Sequence, residues 1–238
     1  RLPAVMGVFI LSDPETAFPL AVMDGTRLTA FRTGAAAAVA SRHLAVKQPA
    51  TIGFIGCGTQ ARSMLSAHRS LFSGLRPIMA DVDPAAAEKF AKEAGGFTAS
   101  MDQAGSCDII CTSTPSRTPV LFRSYVGIST HVNAMGADAP GKQELDPRLL
   151  QDATVVVDDL DQATESGEVN VPLRAGTYRR EQIYGTLGEI VAGKKPGRKG
   201  TEITVFDSTG LAIQDLSLAR VVFDESRSRG LGMEIDLV

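Results

Sequence analysis

The stretch Thr51-Ile52-Gly53-Phe54-Ile55-Gly56-Cys57-Gly58-Thr59-Gln60-Ala61-Arg62 decides the fold. Its first five residues make an apolar run of strand length that passes directly into a glycine turn. Met64, Leu65, His68 and Leu71 then recur at helical spacing, which predicts a helix over residues 61–72. Gly56-x-Gly58-x-x-Ala61 therefore stands between a strand and the first turn of a helix, where a dinucleotide fingerprint must stand. Gly56 permits the tight turn, and Gly58 lets the backbone approach a pyrophosphate with no Cβ in the way. Ala61 is small enough for helix and strand to pack closely, and the helix N-terminus offers free N–H donors to phosphates. Alone, the motif is also what a plain strand-to-helix connection looks like. The rest of the chain has to decide.

Downstream, strands and helices alternate. Residues 77–81 read as a strand ending in Asp81, near the ~20-residue spacing at which a carboxylate accepts from the adenosine ribose hydroxyls. Val82 and Asp83 follow with no Arg to hold a 2′-phosphate, so NAD is favoured over NADP. Asp83-Pro84 reads as a cap and first position of a helix over residues 85–94, closed by Gly95-Gly96. A short strand near Phe97, a helical turn over 101–104 and a strand over 107–114 come next. Thr112-Ser113-Thr114-Pro115 falls at the carboxyl end of that strand, where open α/β sheets bind ligands. A fifth strand, 130–135, leads into Gly136-Ala137-Asp138-Ala139-Pro140-Gly141-Lys142. Asp138 would lie beside the nicotinamide; the plainer reading is an Asx turn before Ala139-Pro140-Gly141.

Asp146-Pro147 starts a short helix, residues 153–158 a sixth strand, and a helix after Asp159 runs into Glu165-Ser166-Gly167-Glu168. Residues 201–206 form a final strand, and Asp207-Ser208-Thr209-Gly210 opens a last helix, with Asp207 or Ser208 as cap. Ala212, Leu216, Ala219 and Phe223 share one face of it, Gly230 closes it, and residues 233–238 read as a terminal strand.

Upstream, residues 5–11 and 19–23 read as a hairpin around Ser12-Asp13-Pro14-Glu15-Thr16. Asp24-Gly25 turns the chain, and Thr26 or Thr29 caps a helix over 28–46 that ends at Gln48-Pro49. Ala30, Gly34, Ala37, Ala38 and Ala40 leave this helix smooth, as expected where a sheet or a partner subunit packs closely. Arg32 stands out as a long cation in a small-residue segment, although a solvated surface Arg is the plainer reading.

With 238 residues the chain is long for one compact domain, so one large domain and a partner piece is the default. A net charge of −3 and 5% aromatic content without Trp argue against nucleic acid or an anionic membrane as partner. The apolar tract 35–40 is far short of the roughly 20 residues of a membrane span. Cys57, Cys107 and Cys111 form no CxxC pair and are odd in number, which favours reduced thiols and a cytoplasmic setting, with Cys107 and Cys111 as small buried hydrophobes. His43, His68 and His131 show no ligand spacing with them, so no metal is expected. The basic run 193–200 reads as a solvated turn. Arg1-Leu2-Pro3-Ala4-Val5 carries neither Met, signal peptide nor cap, which leads to the expectation of a further segment upstream.

Several stretches stand together: Met23-Asp24-Gly25-Thr26 with Thr29-Ala30-Phe31-Arg32-Thr33-Gly34-Ala35-Ala36, and Gly56-Cys57-Gly58-Thr59-Gln60-Ala61-Arg62. Further on come His131-Val132-Asn133-Ala134-Met135-Gly136-Ala137-Asp138-Ala139-Pro140-Gly141-Lys142-Gln143-Glu144-Leu145 and Phe206-Asp207-Ser208-Thr209-Gly210-Leu211-Ala212. Taken together they resemble the ornithine cyclodeaminase/mu-crystallin family, and within it most the archaeal-type alanine dehydrogenases. The resemblance covers essentially the whole chain. It implies an α/β fold: a Rossmann doubly wound sheet over 47–206, inserted in an α+β dimerisation and substrate domain built from 1–46 and 207–238, in an intertwined homodimer. It further implies that Arg32 binds a substrate carboxylate and that Asp138 acts in proton transfer. Gly56, Gly58, Thr59, Gln60, Ala61, Asp81 and Thr114 would hold NAD, with Ser208 near the nicotinamide amide. The family's catalytic Lys and second substrate Arg lie upstream of the segment matching Arg1-Leu2-Pro3. The implied activity is NAD-dependent oxidative deamination of a small L-amino acid, L-alanine to pyruvate and ammonia first. Ornithine cyclodeamination, which regenerates NAD, is the nearest alternative. A mu-crystallin-like binding protein or imine reductase is the next.

Overall fold

In the computed structural model, which describes residues 5–236, the first apolar runs pair with each other. Strands β1 (Val8–Ser12) and β2 (Pro19–Asp24) form a two-stranded antiparallel sheet. Asp13 stiffens the connection, its carboxylate accepting from the Glu15 and Thr16 amides and the Thr16 hydroxyl. Helix α1 (Gly25–Leu44) starts earlier than the sequence predicts. The reason is its cap: Asp24 Oδ1 accepts the Thr26 N–H at 2.9 Å, a bond neither Thr26 nor Thr29 supplies. Small residues along α1 serve close approach, since a Cβ on Gly34 would stand 2.5 Å from the Ser63 carbonyl oxygen.

The central elements follow in alternation: β3 (Thr51–Ile55), α2 (Thr59–Leu71), β4 (Arg76–Ala80), α3 (Pro84–Ala94), β5 (Phe97–Thr98), α4 (Met101–Ala104) and β6 (Ile109–Thr112). After them come β7 (His131–Ala134), α5 (Pro147–Asp152), β8 (Ala153–Val157), α6 (Leu160–Ser166), α7 (Asn170–Arg174), β9 (Gly185–Thr186), α8 (Leu187–Val191), β10 (Ile203–Asp207) and α9 (Ala212–Ser228). Eight strands form one parallel sheet in the order β5-β4-β3-β6-β7-β10-β8-β9, a Rossmann-type doubly wound fold. The order reverses between β3 and β6, which pair through Ile55 and Thr112 at their carboxyl ends. β10, late in the sequence, slots between β7 and β8. β6, β7 and β10 are buried throughout, as parallel strands covered on both faces must be. Phe54 and Phe90 meet edge to face at 5.4 Å in the layer under α3.

A buried polar chain crosses this core. His68 Nδ1 lies 2.7 Å from the Met64 carbonyl and must carry the proton, so Nε2 accepts from the Ser41 hydroxyl at 2.8 Å. Ser41 in turn accepts from Asn133 Nδ2, and Asn133 Oδ1 faces His131 Nε2. Burial keeps both imidazoles neutral, pushing His68 down to about 4 and His131 to about 3.

By its internal contacts the chain divides into two compact units. One is Thr33–Gly210; the other comprises the described residues of Arg1–Arg32 and Leu211–Val238, where α9 packs on β1. Several expectations change here. Asp207 and Ser208 cap nothing: α9 begins at Ala212 after Leu211, with no side-chain cap, and Asp207 ends β10 fully buried. On α9, Ala219 is buried but Leu216 is 44% exposed, so the expected face is only partly covered. Residues 233–236 form no strand, and the last two residues lie outside those described. In the basic run, Lys194 and Lys199 are exposed, but Arg198 is not a solvated residue. Its guanidinium donates to the carbonyls of Leu44, Glu202 and Thr130 at 2.6, 2.5 and 3.0 Å, because a planar fork can satisfy several carbonyls at once. Among the described residues no helix is long and apolar enough to cross a membrane.

Candidate functional site

The carboxyl ends of β3, β4, β6, β7 and β10 carry most of the residues singled out in the sequence. Gly56 adopts φ +92°, a left-handed conformation that favours glycine. A Cβ there would also stand 2.8 Å from the Ser113 oxygen and 2.9 Å from Thr114 Cγ2. Gly58 is different. Its φ is −82°, and a Cβ would meet nothing within 4 Å. The fold itself does not require glycine at 58, so a requirement there must come from what approaches the turn. Gly58 also caps α2 without a side-chain bond, leaving the helix N-terminus open to an anion.

Thr59 is exposed beside that opening, and Ala61 is fully buried against the sheet. Gln60 has a buried Oε1 with no hydrogen-bond partner among the described residues. Asp81 lies just past β4, with Oδ2 accepting the Cys57 N–H at 2.7 Å and Oδ1 accepting the Asp83 N–H at 2.9 Å. Asp83 caps α3 as read from the sequence, accepting from the Ala85 amide at 3.0 Å. Arg62, whose role the sequence left unstated, braces the turn from below. Its Nη1 donates to the carbonyls of Cys57 and Gly58 at 2.6 and 3.0 Å, its Nε pairs with Glu93 at 2.7 Å, and it stacks 4.7 Å over Phe90. Cys57 is no nucleophile, since burial pushes its thiol up to about 12.

The loops after β6 and β7 are joined by a residue that sequence reasoning missed as a site residue. Glu144 is fully buried, and its Oε2 accepts from the Thr112 hydroxyl at 2.7 Å and the Gly136 N–H at 2.8 Å. Its Oε1 accepts the Thr114 N–H at 2.6 Å. Two more buried carboxylates continue the pattern. Glu168 accepts from the Glu144 and Leu145 amides, and Asp207 accepts from the Glu168 and Val169 amides. Burial raises all three acids, Asp207 to about 7, and the charges of Glu144 and Asp207 push Glu168 up further.

Asp138 follows β7 with its side chain 57% exposed. Its carboxylate pairs with Lys142 Nζ four residues along the loop, and no Asx-turn bond is formed among the described residues. Ser208 follows β10, its amide bonded to the Ala134 carbonyl at 3.0 Å and its hydroxyl donating to Asp158 Oδ2 at 3.0 Å. Asp158 also accepts the Thr209 and Gly210 amides at 2.9 and 2.7 Å, so one carboxylate shapes the whole loop.

Gly56 thus touches the Thr114 loop, Asp81 bonds the glycine turn, Glu144 joins Thr114 to the Asp138 loop, and Ser208 bonds the end of β7. Arg32 belongs to the other unit. It is 16% exposed rather than solvated, with Nε on Asp215 at 3.3 Å and Nη1 on Gln214 at 3.2 Å. What the Thr33–Gly210 unit offers chemically is an open helix N-terminus for an anion, a carboxylate beside it for hydroxyl groups, and an exposed acid paired with an amine.

A sequence model of the Ornithine cyclodeaminase/mu-crystallin family matches residues 1–230. Alanine dehydrogenase of Archaeoglobus fulgidus is 49% identical over 240 residues, covering 98% of this chain and 74% of that protein. A solved archaeal alanine dehydrogenase dimer with bound NAD superposes with a TM-score of 0.94 at 47% identity, covering 100% of this chain and 76% of the other. Thermococcus litoralis Delta(1)-pyrroline-2-carboxylate reductase, solved in complex with NADH and L-proline, gives a TM-score of 0.93 at 36% identity over 98% of this chain and 76% of its own.

Proposed function

The chain belongs to the ornithine cyclodeaminase/mu-crystallin family, and from that premise we propose that it is an NAD-dependent oxidoreductase acting on a small L-amino acid, L-alanine first. The observation that carries this reading is the 49% identity to an alanine dehydrogenase across 98% of the chain. The residues fit the cofactor. Gly58 is a glycine the fold does not need, the α2 N-terminus beside it is open, and the buried Gln60 Oε1 lacks a partner among the described residues. On this reading Gly56, Gly58, Thr59, Gln60 and Ala61 form the turn that holds the pyrophosphate. Asp81 accepts the ribose hydroxyls with its remaining lone pairs, and Thr114 and Ser208 hold the nicotinamide end.

When bound, NAD supplies the acceptor for the hydride that leaves the substrate Cα. Arg32 holds the substrate carboxylate: Asp215 and Gln214 already fix two of its three nitrogens, which orients the fork. Asp138 is the general base, taking a proton from the water that attacks the imine carbon, after which ammonia leaves. Lys142 pairs with this carboxylate in the free protein. The unit built from the two chain ends serves substrate binding and dimerisation, and the protein works as a cytoplasmic homodimer.

A second reading is reduction of a cyclic imino acid, supported by the likeness to the Thermococcus reductase. The test is an amino-acid panel with full-length protein and NAD, following NADH and keto acid, run beside Delta(1)-pyrroline-2-carboxylate with NADH. NADH formation with L-alanine and equal pyruvate supports the dehydrogenase. NADH consumption with the cyclic imine alone transfers the assignment to the reductase.

A further inference from the structure

We propose that Glu144 is a positioning residue that sets the spacing between the loop carrying Thr114 and the loop carrying Asp138. Three donors from two loops converge on its carboxylate: the Thr112 hydroxyl and Thr114 amide from the end of β6, and the Gly136 amide from the end of β7. The approach is tight. A Cβ on Gly136 would stand 2.6 Å from Glu144 Oε2 and would also strike the Thr114 carbonyl, so glycine at 136 is what lets the clasp close. The backbone of Glu144 is anchored independently. Its carbonyl accepts the Val120 and Leu121 amides at 2.7 and 3.0 Å, and its amide donates to Glu168 at 2.9 Å. A carboxylate held by its own main chain therefore acts as a fixed post, and the two loops hang from it.

The opposite, amino end of the central strands carries a control. Asp108 Oδ2 accepts from the Ala50 and Thr51 amides and the Thr51 hydroxyl at 2.8, 2.9 and 3.0 Å. It also gathers three donors, at the amino end of β3. A purely structural carboxylate should behave like Asp108; a positioning residue should not.

The cofactor part of this inference rests on the proposed NAD site, whereas the loop part does not. Hydrogen exchange by mass spectrometry on the full-length protein reads the loops directly. In Glu144→Gln the peptides spanning residues 112–116 and 134–139 should exchange at least tenfold faster, and Thr112→Val, which removes one donor, should give a smaller change in the same peptides. Asp108→Asn should leave both within twofold of wild type. NADH titration should show Glu144→Gln weakened at least tenfold and Asp108→Asn within twofold. If Asp108→Asn loosens those peptides as much as Glu144→Gln, or neither Glu144→Gln nor Thr112→Val loosens them, the proposal is overturned. If the peptides respond as stated but wild type binds no NADH, the cofactor reading fails and the positioning role stands.

Discussion

The Cys57 amide donates to Asp81 Oδ2 at 2.7 Å, so the glycine turn and the acid just past β4 form one hydrogen-bonded piece. Any ligand that engages Asp81 also feels the geometry of the turn, and a change at either is transmitted to the other. Asp81→Asn keeps the shape but removes the charge. Losing charge-assisted bonds worth about 1.5–3 kcal/mol should weaken NAD binding by roughly ten- to a hundredfold. Fluorescence titration with NADH checks this, and unchanged affinity would remove Asp81 from the site.

The two glycines of the turn should separate stability from binding. Gly56→Ala forces a side chain into φ +92° and against Ser113, and should cost about 1–3 kcal/mol of stability, read by urea unfolding. Gly58→Ala meets no protein atom and should fold as wild type while losing NADH affinity. Equal stability losses in the two variants would contradict this division.

Asp138→Asn should lower kcat by roughly 10²- to 10⁴-fold, the range of general acid–base contributions, and leave the NADH dissociation constant within twofold. Single-turnover and steady-state kinetics on L-alanine measure it. A kcat near wild type would take Asp138 out of the mechanism.

Asp207 predicts a pH signature in stability. Its carboxyl is raised from 3.8 to about 7 in the folded protein, so between those values the folded state holds a proton the unfolded state has released. Stability from this group is full below pH 4 and is lost as pH rises to 7, at up to about 1.4 kcal/mol per unit. His68 and His131 work in the opposite sense, costing stability as pH falls from 6.5 towards 4, so the total curve conceals the effect. The difference between Asp207→Asn and wild type removes the histidine contribution and reads Asp207 together with the Glu168 carboxyl that its charge raises. Denaturant unfolding at several values from pH 4.5 to 7.5 should show the variant gaining on wild type as pH rises. Parallel curves would show that Asp207 does not titrate in that window.

By itself the sequence determined the order of elements, the parallel alternation and the place of the glycine turn. Each of these rests on local signals: apolar period, a Pro at the first helical position after Asp83, and a glycine at 56 whose left-handed backbone makes the turn. Tertiary structure alone decided what the buried acids do. Asp207 looks like a helix cap beside Ser208, yet its carboxylate serves the Glu168 and Val169 amides far back in the chain. Glu144, within a family-like stretch, and Glu168 show no role in the sequence for the same reason, since their partners are mostly main-chain N–H groups that every residue type except proline offers. Arg32 and Arg198 read as solvated cations until Asp215 and the carbonyls of Leu44 and Thr130 are brought to them. A period or a cap is written within a few residues of the chain. The partner of a buried charge is not, because only folding brings distant main-chain groups within 3 Å of it.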